Sequence, residues 1–189
     1  MTGAKPGHQR ESYENWFCSN GKTVIEIIKG DITFQNCDAI VNAANTSLLA
    51  GGGVCGAIFA KAGYNELQRA CNELSPIKTG EAVATPGFNL KAKYVIHTAG
   101  PIYKGNSSSP LLRNSYINSL KVAEELKLES IAFPSISTGI YGYPLIEAAK
   151  IAISALTSFE YSSLKLVRMV CFDQTIYDVY KSELQKKDM

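Results

Sequence analysis

The stretch Leu49-Ala50-Gly51-Gly52-Gly53-Val54-Cys55-Gly56-Ala57-Ile58-Phe59 holds backbone amides unshielded by side chains, a thiol, and the start of an apolar run. Gly51, Gly53 and Gly56 have the G-x-G-x-x-G spacing of a dinucleotide-binding turn. That turn needs its first glycine at the end of the first strand, and an acidic residue at the end of a second strand ~20 residues on. Neither condition is met. Asn42 to Ala50 separate the strand-like Ala39-Ile40-Val41 from Gly51, and the acids at the right distance, Glu66 and Glu73, fall in a helical pattern. A nicotinamide-linked oxidoreductase is thereby disfavoured. Side-chain-free residues leading into a helix still offer exposed N–H groups at the positive end of a dipole, which is an anion site in any fold.

A second anion loop is suggested by Ser135 to Pro144, "SISTGIYGYP", which follows the apolar run Ile131-Ala132-Phe133 and enters another helix near Pro144. Gly139 and Gly142 permit close backbone approach, and Tyr141 and Tyr143 supply aromatic walls. Two such loops at the carboxyl ends of strands can grip a diphosphate between them. In "VNAAN", Val41 to Asn45, Asn42 reads as a residue that bonds to backbone and ends the strand. Asn45 lies nearer the glycines and can hold hydroxyls, because an amide both donates and accepts. His97 lies within the strand-like Tyr94-Val95-Ile96-His97 and reads as a satisfied core histidine, despite the catalytic value of imidazole elsewhere.

These groups need a frame that brings the loops together. Residues 1–12 are polar, with Gly3, Pro6 and Gly7, and read as a flexible tail, leaving 13–189 as a single domain. Asn20-Gly21 between segments rich in aromatic and β-branched residues signals a β-hairpin from about Trp16 to Ile28. Further on, apolar strand-like runs near Ala39, Ala82, Tyr94, Ile131 and Val167 are interspersed with helical patterns from Val54, from Leu111 to Leu126, from about Leu145 and at the C-terminus. Short continuous apolar runs are strands buried on both faces. The expected fold is a three-layer α/β/α domain with a mixed central sheet and an extra N-terminal hairpin strand. Gly105 to Pro110, "GNSSSP", reads as a mobile surface loop ending at a helix start.

Composition narrows the partners. A formal charge of +2, from 19 basic and 17 acidic residues spread along the chain, implies neither a nucleic-acid nor a membrane patch. The 5 cysteines are odd in number and form no C-x-x-C pair, and only 2 histidines are present. A reduced protein without a metal site is expected. No apolar run suggests a signal peptide or membrane span, so a cytoplasmic location is expected. A monomer is also expected.

Taken together, "GDIT" (Gly30 to Thr33), "DAIVNAAN" (Asp38 to Asn45), "GGGV" (Gly51 to Val54), "TGEA" (Thr79 to Ala82), "YVIHTAGP" (Tyr94 to Pro101) and "PSISTGIYGYP" (Pro134 to Pro144) resemble the macrodomain family, particularly its MacroD-type branch. The resemblance runs from about Val24 to Leu184 with the motifs in the family's order. It implies binding of ADP-ribose, with no other cofactor, and as partner a mono-ADP-ribosylated protein. It also implies hydrolysis of mono-ADP-ribose from acidic side chains or deacetylation of O-acetyl-ADP-ribose. By the same resemblance Asp31 would accept a hydrogen bond from the adenine amino group beside the Ile32 backbone, and Phe172 would stack on adenine. Without it, Asp31 reads as an Asx-turn residue and Phe172 as core. Gly52, Gly53 and Val54 would hold one phosphate. Ser137, Thr138, Gly139, Ile140 and Tyr141 would wrap the other, and Asn45 would orient the distal ribose.

One departure bears on catalysis. MacroD-type hydrolases usually continue the glycines with Val-Asp-Gly-Ala-Ile-His, the Asp serving as base or water-orienting group, whereas this chain has Val54-Cys55-Gly56-Ala57-Ile58-Phe59. The candidate catalytic set is therefore Asn45, Gly53 and Cys55, with Cys55 open to three readings: a packing residue, a redox-sensitive thiol or a participant in the chemistry. Alphavirus macrodomains also carry Cys after Gly-Val and are similar to active hydrolases. Two functions follow, a hydrolase using substrate-assisted water and a non-catalytic ADP-ribose reader.

Overall fold

The computed structural model describes residues 16–189, so the expectation of a flexible tail over 1–12 lies outside the described residues. Seven strands form one sheet in the order β1-β2-β7-β6-β3-β5-β4. They are β1 (Trp16–Asn20), β2 (Thr23–Lys29), β3 (Ala39–Ala44), β4 (Ala82–Pro86), β5 (Tyr94–Ala99), β6 (Ser130–Phe133) and β7 (Leu166–Cys171). The five strands from β2 to β5 in that order are parallel, and β1 and β4 close the two edges antiparallel. The sheet is thus mixed, as expected.

Side-chain alternation sorts the two faces. From β3, Ala39 and Val41 enter one core while Ile40 and Ala44 enter the other. The first core is covered by α3 (Ser109–Glu125), α4 (Leu145–Ser158) and α5 (Gln174–Asp188), through residues such as Leu112, Tyr116, Ala152 and Tyr180. The second is covered by α1 (Gly53–Ala62) and α2 (Tyr64–Leu74), through Ile58, Phe59 and Leu67. A sheet clad on both faces needs strands that are apolar throughout, which is why they read as continuous runs. The three-layer α/β/α arrangement follows.

Local differences from the sequence reading have physical causes. The hairpin loop is Gly21-Lys22 rather than Asn20-Gly21: Asn20 still pairs with Thr23, and Gly21 carries the positive φ of 64° required at the first loop position. Asn20 instead reaches into the fold, its Nδ2 donating to the carbonyls of Thr157 and Phe159, both at 3.0 Å. The helical pattern after the glycines is two helices, broken at Gly63, whose φ is 111°. The Gly105 to Pro110 loop is tied down by Ser108, buried, whose Oγ accepts from Lys104 N at 2.8 Å and donates to Ile102 O at 3.3 Å.

Candidate functional site

Parallel strands end together, and the loops beyond their carboxyl ends share one edge of the sheet. After β3 comes the glycine-rich loop and α1; after β6, the Ser135 to Pro144 loop and α4; after β5, Gly100. Between them lies a cleft of about 390 Å³, lined by Asn45, Gly51 to Cys55, Ser137 and Gly139 to Tyr141 among others. Nine of the residues expected at the site from sequence, Asn45, Gly52, Gly53, Val54, Cys55, Ser137, Gly139, Ile140 and Tyr141, are thus brought together around one cavity.

Helix α1 starts at Gly53 with Gly52 as N-cap, and no side chain caps it. Its first amides are those a helix leaves without an internal partner. Among the described residues nothing takes up the N–H groups of Gly51, Gly52, Gly53, Val54 or Cys55. Gln68 of α2 pins the approach to this loop: its Oε1 accepts from Ala50 N at 2.9 Å and its Nε2 donates to Leu48 O at 3.0 Å. Gly56 lets α1 lie against the loop, since a Cβ there would stand 2.5 Å from the Gly51 carbonyl oxygen.

The second loop offers a matching run. Ser137 has φ 66°, and the turn is closed by Tyr143 N donating to Ser137 O at 2.9 Å and Gly142 N to Gly139 O at 3.0 Å. That leaves the N–H groups of Ser137, Thr138, Gly139, Ile140 and Tyr141 without a partner among the described residues. Successive N–H groups around a left-handed residue form an anion-binding nest. Ser137 Oγ is itself buried and, among the described residues, unpartnered. Thr138 is outside the cleft lining; its Oγ1 turns back to Ser135, at 3.2 Å from the carbonyl and 2.8 Å from Oγ. Below the loop, Ser135 Oγ is 2.8 Å from Tyr180 OH, and Tyr116 OH accepts from Ile136 N at 3.1 Å. The loop rests on buried tyrosines of α3 and α5.

Asp31, Ile32 and Phe172 sit at the far end of the same edge. Lys29 pairs with Cys171 and Gly30 N donates to Cys171 O at 2.9 Å, so Asp31 and Phe172 leave β2 and β7 side by side. Asp31 does form an Asx turn, its Oδ1 accepting from Thr33 N at 2.8 Å and from Thr33 Oγ1 at 2.7 Å. Oδ2 is unpartnered among the described residues, as is the N–H of Ile32. Phe172 is 75% exposed, which rules out core packing for its ring. An exposed aromatic costs little to cover with a planar ligand.

Asn45 and Cys55 occupy the β3 end. Asn45 already braces its own loop, Nδ2 donating to Leu49 O at 2.8 Å and Oδ1 accepting from Leu49 N at 3.1 Å; one N–H and one lone pair of the carboxamide remain. The Cys55 thiol, 7% exposed, lies 3.9 Å from Leu49 O and 3.7 Å from Asn42 Nδ2. Asn42 does not end the strand, which continues to Ala44, and its amide serves a side chain, not backbone. Parallel register pairs it with His97, and Nδ2 stands 3.0 Å from His97 Nδ1. On its other side His97 Nε2 is 2.9 Å from Thr85 Oγ1, which donates to Pro86 O at 3.1 Å. This chain of donors fits neutral imidazole protonated at Nε2. Burial pushes the His97 pKa down to about 4, so it remains neutral above that pH. His97 is a core residue supporting the site from behind. Among the described residues, no lysine, arginine, histidine or carboxylate lines the cleft. Sequence reasoning missed the bracing roles of Gln68 and Asn42, since neither carries a local motif.

A cleft at the carboxyl edge of a mixed α/β/α sheet, walled by two amide-rich loops, marks a class of domain that comparison with known proteins identifies. The Macro domain family model matches residues 41–152, and the chain belongs to the macrodomain family. A macro domain-containing protein of Caldanaerobacter subterraneus subsp. tengcongensis is 48% identical over 173 residues, covering 88% of this chain and 99% of the relative. Among solved structures, the Oceanobacillus iheyensis macrodomain with ADP superposes with a TM-score of 0.88 at 41% identity, covering 92% of this chain and 96% of that one. The Trypanosoma brucei macrodomain in complex with ADP-ribose gives 0.78 at 39%, covering 84% and 68%. Among the described residues, no helix is long and apolar enough to cross a membrane.

Proposed function

We propose that this macrodomain binds ADP-ribose along the cleft and hydrolyses mono-ADP-ribose from acidic protein side chains, O-acetyl-ADP-ribose being the corresponding small ester. The observation that carries the reading is the pair of unpartnered amide runs, Gly51 to Cys55 and Ser137 to Tyr141, facing each other across one cleft. Uncharged donors held by the fold suit a diphosphate, and an α1 terminus without a cap adds a favourable dipole. Adenine would lie at the β2/β7 end between Asp31 and Phe172, and the distal ribose at the β3/β5 end by Asn45.

Catalysis then proceeds without a protein base. A water held by the remaining Asn45 amide valences and a phosphate oxygen of the substrate attacks the anomeric carbon. The bond from that carbon to the acyl oxygen breaks, the carboxylate leaves, and the water's proton passes to the phosphate oxygen. Positioning and amide dipoles supply the rate, with a general base forgone at a cost of ~10²- to 10⁴-fold. A second reading, a reader that binds without turnover, is favoured by Cys55 standing where MacroD-type enzymes have a carboxylate and by the absence, among the described residues, of any Lys, Arg, His or carboxylate from the cleft lining.

Release of ADP-ribose from a Glu/Asp-modified protein decides between them. The hydrolase predicts slow release that changes little in Cys55→Asp. A reader predicts no release until Cys55→Asp supplies a base, and that result would overturn the hydrolase. Because Asn45 also braces Leu49, Asn45→Ala lowers turnover partly by loosening the loop.

A further inference from the structure

A charged pair on the sheet, outside the cleft lining, is tied to the Asp31 turn by a single side chain. In β2 and β7, Ile25, Ile27, Val167 and Met169 enter the core beneath α3, α4 and α5, so Glu26 and Arg168, paired in register, face the other way. Arg168 Nε donates to Glu26 Oε1, the two side chains being only 24% and 14% exposed. Arg168 Nη1 donates to Gln35 Oε1 at 3.0 Å. Gln35, half-buried, clasps the turn in its own right: its Nε2 donates to Asp31 O at 2.9 Å and its backbone N–H to Ile32 O at 3.3 Å. Hydrogen bonds thus run Glu26–Arg168–Gln35–Asp31, from the middle of two strands to the residue whose Oδ2 is unpartnered among the described residues.

We propose that Arg168 and Gln35 are positioning residues that set base selectivity at the β2/β7 end. This rests on the ADP-ribose reading, with adenine lying by Asp31. A partly buried ion pair is a poor source of stability, because desolvation offsets its attraction. A guanidinium is, however, a planar fork with donors in fixed directions, and here one is aimed at Glu26 and another at Gln35. The Asx turn holds Asp31 Oδ1 only to Thr33, within the same turn. Gly30 anchors the turn to the sheet at its start, through Cys171 O, and Gln35 anchors it at its end, through Arg168. The turn so held carries an acceptor, Asp31 Oδ2, one residue before a donor, the Ile32 N–H. Adenine offers the complement, an amino donor beside a ring-nitrogen acceptor, whereas hypoxanthine reverses both. A site rejects such an analogue strongly when its own donor and acceptor are held in place.

Titrations compare ADP-ribose with its hypoxanthine counterpart, inosine diphosphate ribose, on the unaltered protein, Gln35→Met and Arg168→Lys. Gln35→Met keeps the size of the side chain and loses its bonds to Arg168 and Asp31; Arg168→Lys keeps the charge opposite Glu26 and loses the fork. The unaltered protein prefers ADP-ribose by about tenfold or more. In each variant that preference falls about fivefold, because ADP-ribose binds more weakly while the inosine compound keeps its affinity to within about twofold. Retained binding of the inosine compound also shows that the variants are folded; if Arg168→Lys melts below the assay temperature, Gln35→Met decides alone. An unchanged preference in a folded variant, an equal loss for both ligands included, overturns the proposal. So does an unaltered protein that binds both compounds alike, which leaves the ADP-ribose reading standing. Failure of the unaltered protein to bind ADP-ribose at all is a separate outcome: it removes that reading, and the proposal with it.

Discussion

Gly56→Ala probes how the first amide loop, Gly51 to Cys55, is held. A Cβ at this position would meet the Gly51 carbonyl oxygen at 2.5 Å, and that neighbour is backbone, not a side chain that can swing away. Relief to about 3.0 Å, near the closest approach of real Cβ atoms, requires a displacement of at least about 0.5 Å between α1 and the loop. The Gly51 carbonyl shares a rigid peptide plane with the Gly52 N–H, so moving one re-aims the other. Overpacking of this kind costs about 1–3 kcal/mol, offset by up to ~1 kcal/mol from replacing glycine within a helix. The expected net loss of about 1 kcal/mol lowers the melting temperature by roughly 2–4 °C in a chain of this length. Misdirecting one charge-assisted hydrogen bond, worth about 1.5 kcal/mol, weakens ADP-ribose about tenfold. Gly51→Ala is the control: its φ is not positive and a Cβ there meets nothing within 4 Å, so stability is expected to hold. Thermal melting and calorimetric titration read both quantities. A Gly56→Ala protein that melts no lower and binds ADP-ribose unchanged would refute the idea that this contact sets the loop.

Phe172→Ala removes a ring that is 75% exposed, so its melting temperature should barely move, while loss of a stacking partner worth ~1–3 kcal/mol weakens ADP-ribose about 5- to 150-fold; equal binding would place adenine elsewhere. His97 gives a pH signature. Its folded pKa of about 4 lies below the ordinary 6.5, so the unfolded chain binds the extra proton between those values and stability falls as pH drops from 6.5 toward 4. The His97 contribution to that loss is roughly 3 kcal/mol, and His97→Gln should show a shallower decline over the same window in denaturant melts. A parallel pH dependence in the variant would assign the decline to other groups.

What was legible in the sequence was what local chemistry controls. Glycines placed after apolar runs announced both amide loops, and the apolar runs themselves announced a sheet covered on two faces. The buried run of β7 ends with Cys171, yet only the structure distinguishes an exposed Phe172 from a core one, because the next residue after a buried strand can turn either way. Asn42 was misread for a similar reason. Its partner His97 is 55 residues away, brought alongside by parallel pairing of β3 and β5, and no local pattern encodes which strands become neighbours. Gln68 likewise acts through positions that only the assembled fold brings together. The hairpin offset by one residue shows the finer limit: Asn20-Gly21 marked the turn, while long-range bonds from Asn20 to the end of α4 set its register.

Titration of free ADP-ribose into the unaltered protein by calorimetry tests the central claim most directly. The account predicts saturation at one ADP-ribose per chain, with AMP, which offers a single phosphate to the paired amide loops, bound much more weakly. Absence of binding, or AMP binding as tightly as ADP-ribose, would contradict it.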